Sequence, residues 1–169
     1  MDYEPGHFVL TDQFIDRTRK RADTFYEGGQ ICHISAADPL CPQLREIFKS
    51  YADGLGLTAH KKGTYVCIEG PRFSTRAESN MFRQWGCDII GMTMYPEVIL
   101  AREAQICYVS VAMVTDYDVW ADKPVSAVEV LETMEKNSDN FQKLIMGTLP
   151  EIPGNRACDC DNALIGALY

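Results

Sequence analysis

The feature that most constrains this chain is a set of apolar runs that do not alternate with polar residues. "HFVLTDQFID", "GTYVCIEG", "CDIIGMT" and "CYVSVAMVT" are each rich in β-branched or bulky apolar residues and each ends in turn chemistry. Strands with one wet face alternate; near-continuous runs of this length belong to strands covered on both faces. Between them the spacing changes. After Pro42, the residues Leu44, Ile47, Phe48 and Tyr51 recur at i, i+3, i+4 and i+7, and "DGLGL" stops the run, as a helix and its terminator do. Thr75 and Glu78 have capping-box spacing ahead of a stripe of Ala77, Met81 and Trp85. "PEVILAREAQI" opens on Pro and Glu, which suit a first helical turn. Ser126 and Glu129 repeat the capping-box spacing before a long helix carrying Val130, Leu131, Met134, Phe141, Leu144 and Ile145. Buried strands alternating with helices predict an α/β fold with a mostly parallel sheet flanked by helices.

With 169 residues and 46% hydrophobic positions, the chain can fill one core, so a single domain over 1–169 is expected, with 153–169 as a flexible tail. The 24 acidic against 16 basic residues give a net charge of -8, which repels a phosphate backbone and argues against a nucleic-acid partner. No apolar run is long enough to span a bilayer and "MDYEPGHFVL" has no signal-peptide pattern, so no membrane association and a cytoplasmic location are expected. Seven cysteines form no C-x-x-C pair, and Cys32, Cys41, Cys67, Cys87 and Cys107 lie in or beside apolar runs. Buried free thiols are the expectation, with no metal site.

In a parallel α/β sheet, ligands bind beyond the carboxyl ends of the strands. Here those positions hold "EGPRFST", "GMTMYP" and "TDYDVW", which bring Phe73, Ser74, Met92, Thr93, Asp116 and Asp118 towards one crevice. Singly, Gly70-Pro71 reads as a turn, Ser74 or Thr75 as a cap, "TDYD" as an Asx-turn, and Met92, Phe73 and His33 as packing or loop residues. Together they offer a ring to stack on a base, hydroxyls for sugar or phosphate, and carboxylates for a base edge, a set that suits a nucleoside.

The segments "TDQFIDRT", "GTYVCIEGPRFSTRAES", "GMTMYPE", "LAREAQICY" and "VAMVTDYDVW" resemble, in order and spacing, the 5'-methylthioadenosine phosphorylases of the purine nucleoside phosphorylase family. The resemblance covers nearly the whole chain. It implies phosphorolysis of 5'-methylthioadenosine to adenine and 5-methylthioribose 1-phosphate in purine and methionine salvage, with inorganic phosphate as co-substrate and no cofactor. By the same resemblance Phe73 lies against the purine, and Ser74 stands where relatives preferring 6-oxopurines carry glutamate. Met92 lines the ribose and Thr93 donates to phosphate. Asp116, the catalytic acid, acts at N7, with Tyr117 and Asp118 beside it at the adenine edge. Ala127, Val130 and Leu131 of "PVSAVEVL" surround the apolar 5' group. His33 of "CHISAADPLC" reaches a neighbour's 5' end, which implies a homo-oligomer, a trimer or a dimer of trimers. "CDCDNAL" is similar to the C-x-C tail of some archaeal members.

The resemblance also implies a Gly-rich phosphate loop, an Arg-His pair and further N-terminal strands ahead of "YEPGHFVLTDQFID", and this sequence carries none of them. On that reading the chain is an N-terminally truncated member with little turnover of its own. A non-catalytic adenine-nucleoside binding module and a flavodoxin-like module are the alternative readings.

Overall fold

Three consecutive residues with no exposed surface, Phe8, Val9 and Leu10, form the first strand, β1 (Phe8–Leu10). The computed structural model describes residues 3–120 and 126–169. The elements that follow are β2 (Gln13–Arg17), α1 (Pro42–Gly54), β3 (Ala59–His60), β4 (Thr64–Ile68), α2 (Arg76–Gln84), β5 (Ile89–Gly91), α3 (Met94–Glu103), β6 (Val111–Met113) and α4 (Ala127–Thr148).

The α/β class holds, with one refinement: the strands divide into two three-stranded sheets, ordered β3-β1-β6 and β2-β4-β5. The second sheet is wholly parallel. In the first, β1 runs parallel to β3 and antiparallel to β6. The single strand expected over "HFVLTDQFID" is therefore two strands in different sheets. The break is built by Asp12 and Gly63. The Asp12 carboxylate accepts the Gly63 N–H at 2.9 Å, and the Asp12 N–H reaches the Gly63 carbonyl at 3.3 Å. Both strand pairs cross from one sheet to the other at this point. Gly63 is needed there because a Cβ would lie 2.6 Å from Val9 Cγ1.

β4 explains why its sequence does not alternate. Tyr65 and Cys67 face Met94 and Val98 of α3, whereas Val66 faces Phe82 of α2 and Cys87. Successive residues point to opposite faces, and both faces are covered. A separate cluster of Phe8, Leu10, Phe48, Ala52, Ala59 and Leu144 joins the first sheet to α1 and α4.

Three expectations change. The α2 stripe of Ala77, Met81 and Trp85 is covered only in part: Met81 packs beside the buried Phe82, but Ala77 is exposed and Trp85 is 46% exposed, where Arg17 lies 5.7 Å from its ring centroid. Residues 153–169 do not trail as a tail. Ile31 and Tyr169 exchange backbone hydrogen bonds of 3.1 and 3.0 Å, Arg156 donates to the Gln105 carbonyl at 2.8 Å, and Cys160 is buried. Backbone pairing and a buried side chain hold what looked from composition like a polar terminus. Finally, Cys41, Cys107, Cys158 and Cys160 are not dispersed core thiols, because their Sγ atoms all lie within 4.8 Å of one another.

Candidate functional site

The first wall of the site is the turn after β4. Gly70 has φ +71, in the left-handed region, and a Cβ on it would lie 2.6 Å from Met92 Sδ. Glycine is favoured there by conformation, and its missing Cβ lets Met92 approach. Arg72 then forms a forked pair with Glu78, each bond 2.7 Å. Glu78 also accepts the Thr75 N–H at 2.8 Å, while Thr75 Oγ1 accepts the Glu78 N–H at 3.1 Å, which closes the expected capping box. The Arg72 guanidinium, together with the Thr75 N–H, holds the Glu78 carboxyl down at about 2. Between these anchors sit Phe73, 42% exposed, and Ser74, only 7% exposed. Ser74 Oγ has no hydrogen-bond partner.

The second wall follows β5. Gly91 lets the Tyr65 hydroxyl pass, and the Thr93 N–H points at that oxygen from 3.4 Å. Burial pushes the Tyr65 hydroxyl upward, and its hydrogen bonds with Thr93 oppose the shift. Met92 is thereby set between the two strand ends.

The third wall follows β6 of the other sheet. Asp116 accepts from Thr115 Oγ1 at 2.7 Å on one oxygen and from the Asp118 N–H at 2.8 Å on the other. The tight turn this requires places Asp118 at φ 56, a conformation that aspartate tolerates better than most residues. Arg76, the first residue of α2, donates to the Val119 carbonyl at 2.5 Å and ties this wall to the first.

The three walls enclose an open cleft of about 450 Å³. Phe73, Ser74, Met92, Asp116 and Asp118 line it, with Val130 entering from α4. Ile68, Ile90, Gly91 and Thr115 complete it. Apolar sides, two carboxylates and one unsatisfied buried hydroxyl make a slot for a flat, donor-bearing heterocycle.

The remaining sequence candidates lie outside this lining. Thr93 is exposed at the start of α3 and does not cap it through its side chain. Tyr117 lines an adjoining groove with Tyr3, Ser79 and Arg83, and Asp116 and Asp118 border both spaces. Ala127 and Leu131 are exposed on α4. His33 is exposed and packs on Tyr169, with ring centroids 5.8 Å apart. Pro124 and Val125 of "PVSAVEVL" fall outside the described residues.

Sequence reasoning missed Arg21. Its guanidinium donates to the carbonyls of Met92 at 2.9 Å, Glu69 at 3.2 Å, Ile68 at 3.5 Å and Tyr95, and lies 3.4 Å from the Glu69 carboxylate. One cation thus clasps the ends of β4 and β5 and the first turn of α3. The signal was a basic residue a few positions beyond a strand end, which "RTRKR" hides by offering several.

Residues 1–150 match the phosphorylase superfamily. The S-methyl-5'-thioadenosine phosphorylase of Thermofilum pendens is 58% identical over 167 residues, covering 99% of this chain and 64% of that protein. Its counterpart in Pyrococcus abyssi is 58% identical over 163 residues, covering 96% of this chain and 63% of that protein. Among solved structures, a methylthioadenosine phosphorylase from an antarctic soil metagenomic library aligns with TM-score 0.91 at 44% identity, over 98% of this chain and 60% of that one. The Schistosoma mansoni methylthioadenosine phosphorylase in complex with adenine gives TM-score 0.91 at 31% identity, over 98% and 67%. The chain therefore spans a little under two thirds of the length of these two S-methyl-5'-thioadenosine phosphorylases.

Proposed function

This chain belongs to the phosphorylase superfamily, and from that premise we propose that it forms the purine and ribose side of a 5'-methylthioadenosine phosphorylase site. The reaction is attack of inorganic phosphate on C1' with departure of adenine, giving 5-methylthioribose 1-phosphate, a pentosyl transfer that serves purine and methionine salvage. The observation that carries the reading is the buried Ser74 hydroxyl without a partner, in a slot whose facing edge is Asp116 and Asp118. A buried polar atom left unpaired costs about 1–3 kcal/mol, and a bound purine edge would recover that.

As the glycosidic bond lengthens, the sugar gains oxocarbenium character and negative charge gathers on the purine. A proton delivered at N7 stabilises the leaving base. Asp116 in its protonated form is the group that supplies it, becoming the carboxylate, and its contacts to Thr115 and the Asp118 N–H fix its direction. Asp118 accepts from the exocyclic amino group, with Tyr117 alongside. Phe73 stacks on the base and Met92 lies under the ribose. Val130 receives the methylthio group, with Ala127 and Leu131 on the neighbouring surface of α4. Thr93 is the one phosphate contact in this set, placed immediately ahead of α3. His33 acts on the 5' end of a neighbouring copy in a homo-oligomer, a trimer or hexamer, in the cytoplasm. Among the described residues, no helix is long and apolar enough to cross a membrane.

Calorimetric titration with 5'-methylthioadenosine tests the reading directly. Saturable binding that is lost in Asp116→Ala and weakened in Phe73→Ala is expected. Binding that is indifferent to both substitutions would place the nucleoside elsewhere.

A further inference from the structure

Four cysteines from three separate parts of the chain converge: Cys41 before α1, Cys107 after α3, and Cys158 with Cys160 near the C-terminus. Cys158 Sγ lies 3.6 Å from Cys41 Sγ and 3.5 Å from Cys107 Sγ, and all four sulfurs fall within 4.8 Å of one another. A zinc ion with four thiolates at about 2.3 Å has sulfurs about 3.8 Å apart along each edge of its tetrahedron. The two separations from Cys158 are close to that edge, and Cys158 sits almost evenly between two neighbours rather than against one.

The convergence does not depend on the sulfurs alone. The Cys41 N–H donates to the Tyr108 carbonyl at 2.9 Å, which fixes the first two segments together. The Ala157 N–H donates to Gln43 Oε1 at 2.8 Å, and Arg156 to the Gln105 carbonyl at 2.8 Å, which fixes the third onto both. Cys41 occupies the N-cap of α1, and its sulfur accepts the Leu44 N–H at 3.5 Å. An amide donor at a helix start orients a ligating thiolate and offsets part of its charge. Cys41 and Cys160 are buried, whereas Cys107 and Cys158 are half-buried, so an ion has a route in and little water around it once bound.

We propose that Cys41, Cys107, Cys158 and Cys160 form a structural four-thiolate zinc site that fastens the C-terminal segment to the start of α1 and to the turn after α3. Binding of one Zn²⁺ displaces the four thiol protons to solvent and leaves a site of net charge −2. Four soft sulfur ligands in a tetrahedral arrangement select zinc over oxygen-preferring cations. Because Ile31 pairs with Tyr169, and the His33 N–H with the Ala167 carbonyl, the same clamp steadies the loop that carries His33. The site is independent of the nucleoside reading.

The test uses the protein purified anaerobically with its thiols reduced, titrated with Zn²⁺ and, separately, with Co²⁺. The expected result is one Zn²⁺ per chain, loss of four thiols from reaction with a disulfide reagent, and restoration of all four by a chelator. Co²⁺ should give sulfur-to-metal charge-transfer bands in the near ultraviolet and intense ligand-field bands in the red, both bleached by Zn²⁺. Cys158→Ser combined with Cys160→Ser should abolish the cobalt spectrum, while Cys32→Ser should retain it. Zinc should also slow proteolysis within 156–169. Folded, reduced protein that leaves all four thiols reactive in Zn²⁺ overturns the proposal. So does recovery of the four cysteines as two disulfides from cells lysed into an alkylating reagent.

Discussion

The cleft and the cysteine cluster are both assembled from distant parts of the chain, yet they are built on different logic. The cleft collects the carboxyl ends of β4 and β5 from one sheet and of β6 from the other, and so brings Ser74, Met92 and Asp116 together. Within it Ser74 Oγ is buried and unpaired, available to a ligand. The cluster collects loop and terminal residues that no sheet rule relates, and its side chains meet one another. Strand-end sites are visible in sequence because the sheet dictates where they must be. Loop-assembled sites become visible only when the backbone contacts that fold the terminus back are known.

The largest expected effect falls on the acid edge of the cleft. In a full-length phosphorylase that contains this segment, Asp116→Asn should lower turnover of 5'-methylthioadenosine by about 10²–10⁴, the usual range for loss of a general acid, and the asparagine oxygen can keep only one of the two acceptor contacts. Adding Ser74→Glu should move preference from 6-amino towards 6-oxopurines by about one to two orders of magnitude, since glutamate can accept the N1 proton that adenine lacks. The measurement is kcat/KM for 5'-methylthioadenosine and 5'-methylthioinosine across single and double variants. An unchanged ratio would mean that the strand-end argument has misplaced the base.

Next is Arg21, which lies outside the cleft but sets the distance between two of its walls. Arg21→Met keeps the stem and removes the donors to the Met92 and Glu69 carbonyls. A destabilisation of about 2–3 kcal/mol is expected, as for hydrogen bonds to a charged group, together with weaker nucleoside binding. Denaturant midpoints and calorimetry measure the two effects. Arg21→Lys should recover only part, because a point charge cannot span several carbonyls as a planar fork does. Full recovery would reduce Arg21 to a counter-charge for Glu69.

The cap that supports Phe73 and Ser74 gives a smaller effect. Thr75→Ala should cost about 1 kcal/mol. The pH dependence has a definite sign: Glu78 is held at about 2, below its ordinary 4.5, so its contribution is complete above 4.5 and is lost as pH falls from 4.5 towards 2. Arg72 is exposed and Glu78 is about a third exposed, so screening keeps the contribution small. The stability difference between Glu78→Gln and the parent protein should accordingly shrink over that acid range. A constant difference would mean that the ionised pair does not set the loop.

What sequence conveyed, and what it did not, follows the same division. Continuous apolar runs announced strands covered twice, and β4 is such a strand, with Val66 and Cys67 buried on opposite faces. The Thr75–Glu78 box was legible because capping is a local matter. The division of "HFVLTDQFID" between two sheets was not, since it depends on Asp12 meeting Gly63 across a long loop. Nor was the exposure of Ala77 and Trp85 on α2, where helical period gave a stripe but not how far the sheet would cover it. The clasp by Arg21 and the convergence of Cys41, Cys107, Cys158 and Cys160 depend wholly on tertiary placement.

The smallest effect concerns the end of the cleft furthest from the carboxylates in chemical character. Val130 is the one α4 side chain in the lining, and it is apolar. A methylthio group placed against it leaves water, at about 0.8 kcal/mol per methylene-sized unit, whereas a 5'-hydroxyl there forfeits hydrogen bonds to water. The parent protein should therefore bind 5'-methylthioadenosine at least about fourfold more tightly than adenosine, since 0.8 kcal/mol is roughly that ratio. Val130→Ser should bring the ratio towards one by offering the hydroxyl a partner and removing apolar surface. Leaving the base unchanged between the two ligands isolates the 5' end, so stacking on Phe73 and contacts to Asp116 cancel in the ratio. Equal affinities in the parent protein, measured by calorimetry, would mean that the nucleoside lies with its 5' end turned away from α4. The acid edge would then have to be reassigned with it, because one cleft fixes both ends of the ligand at once.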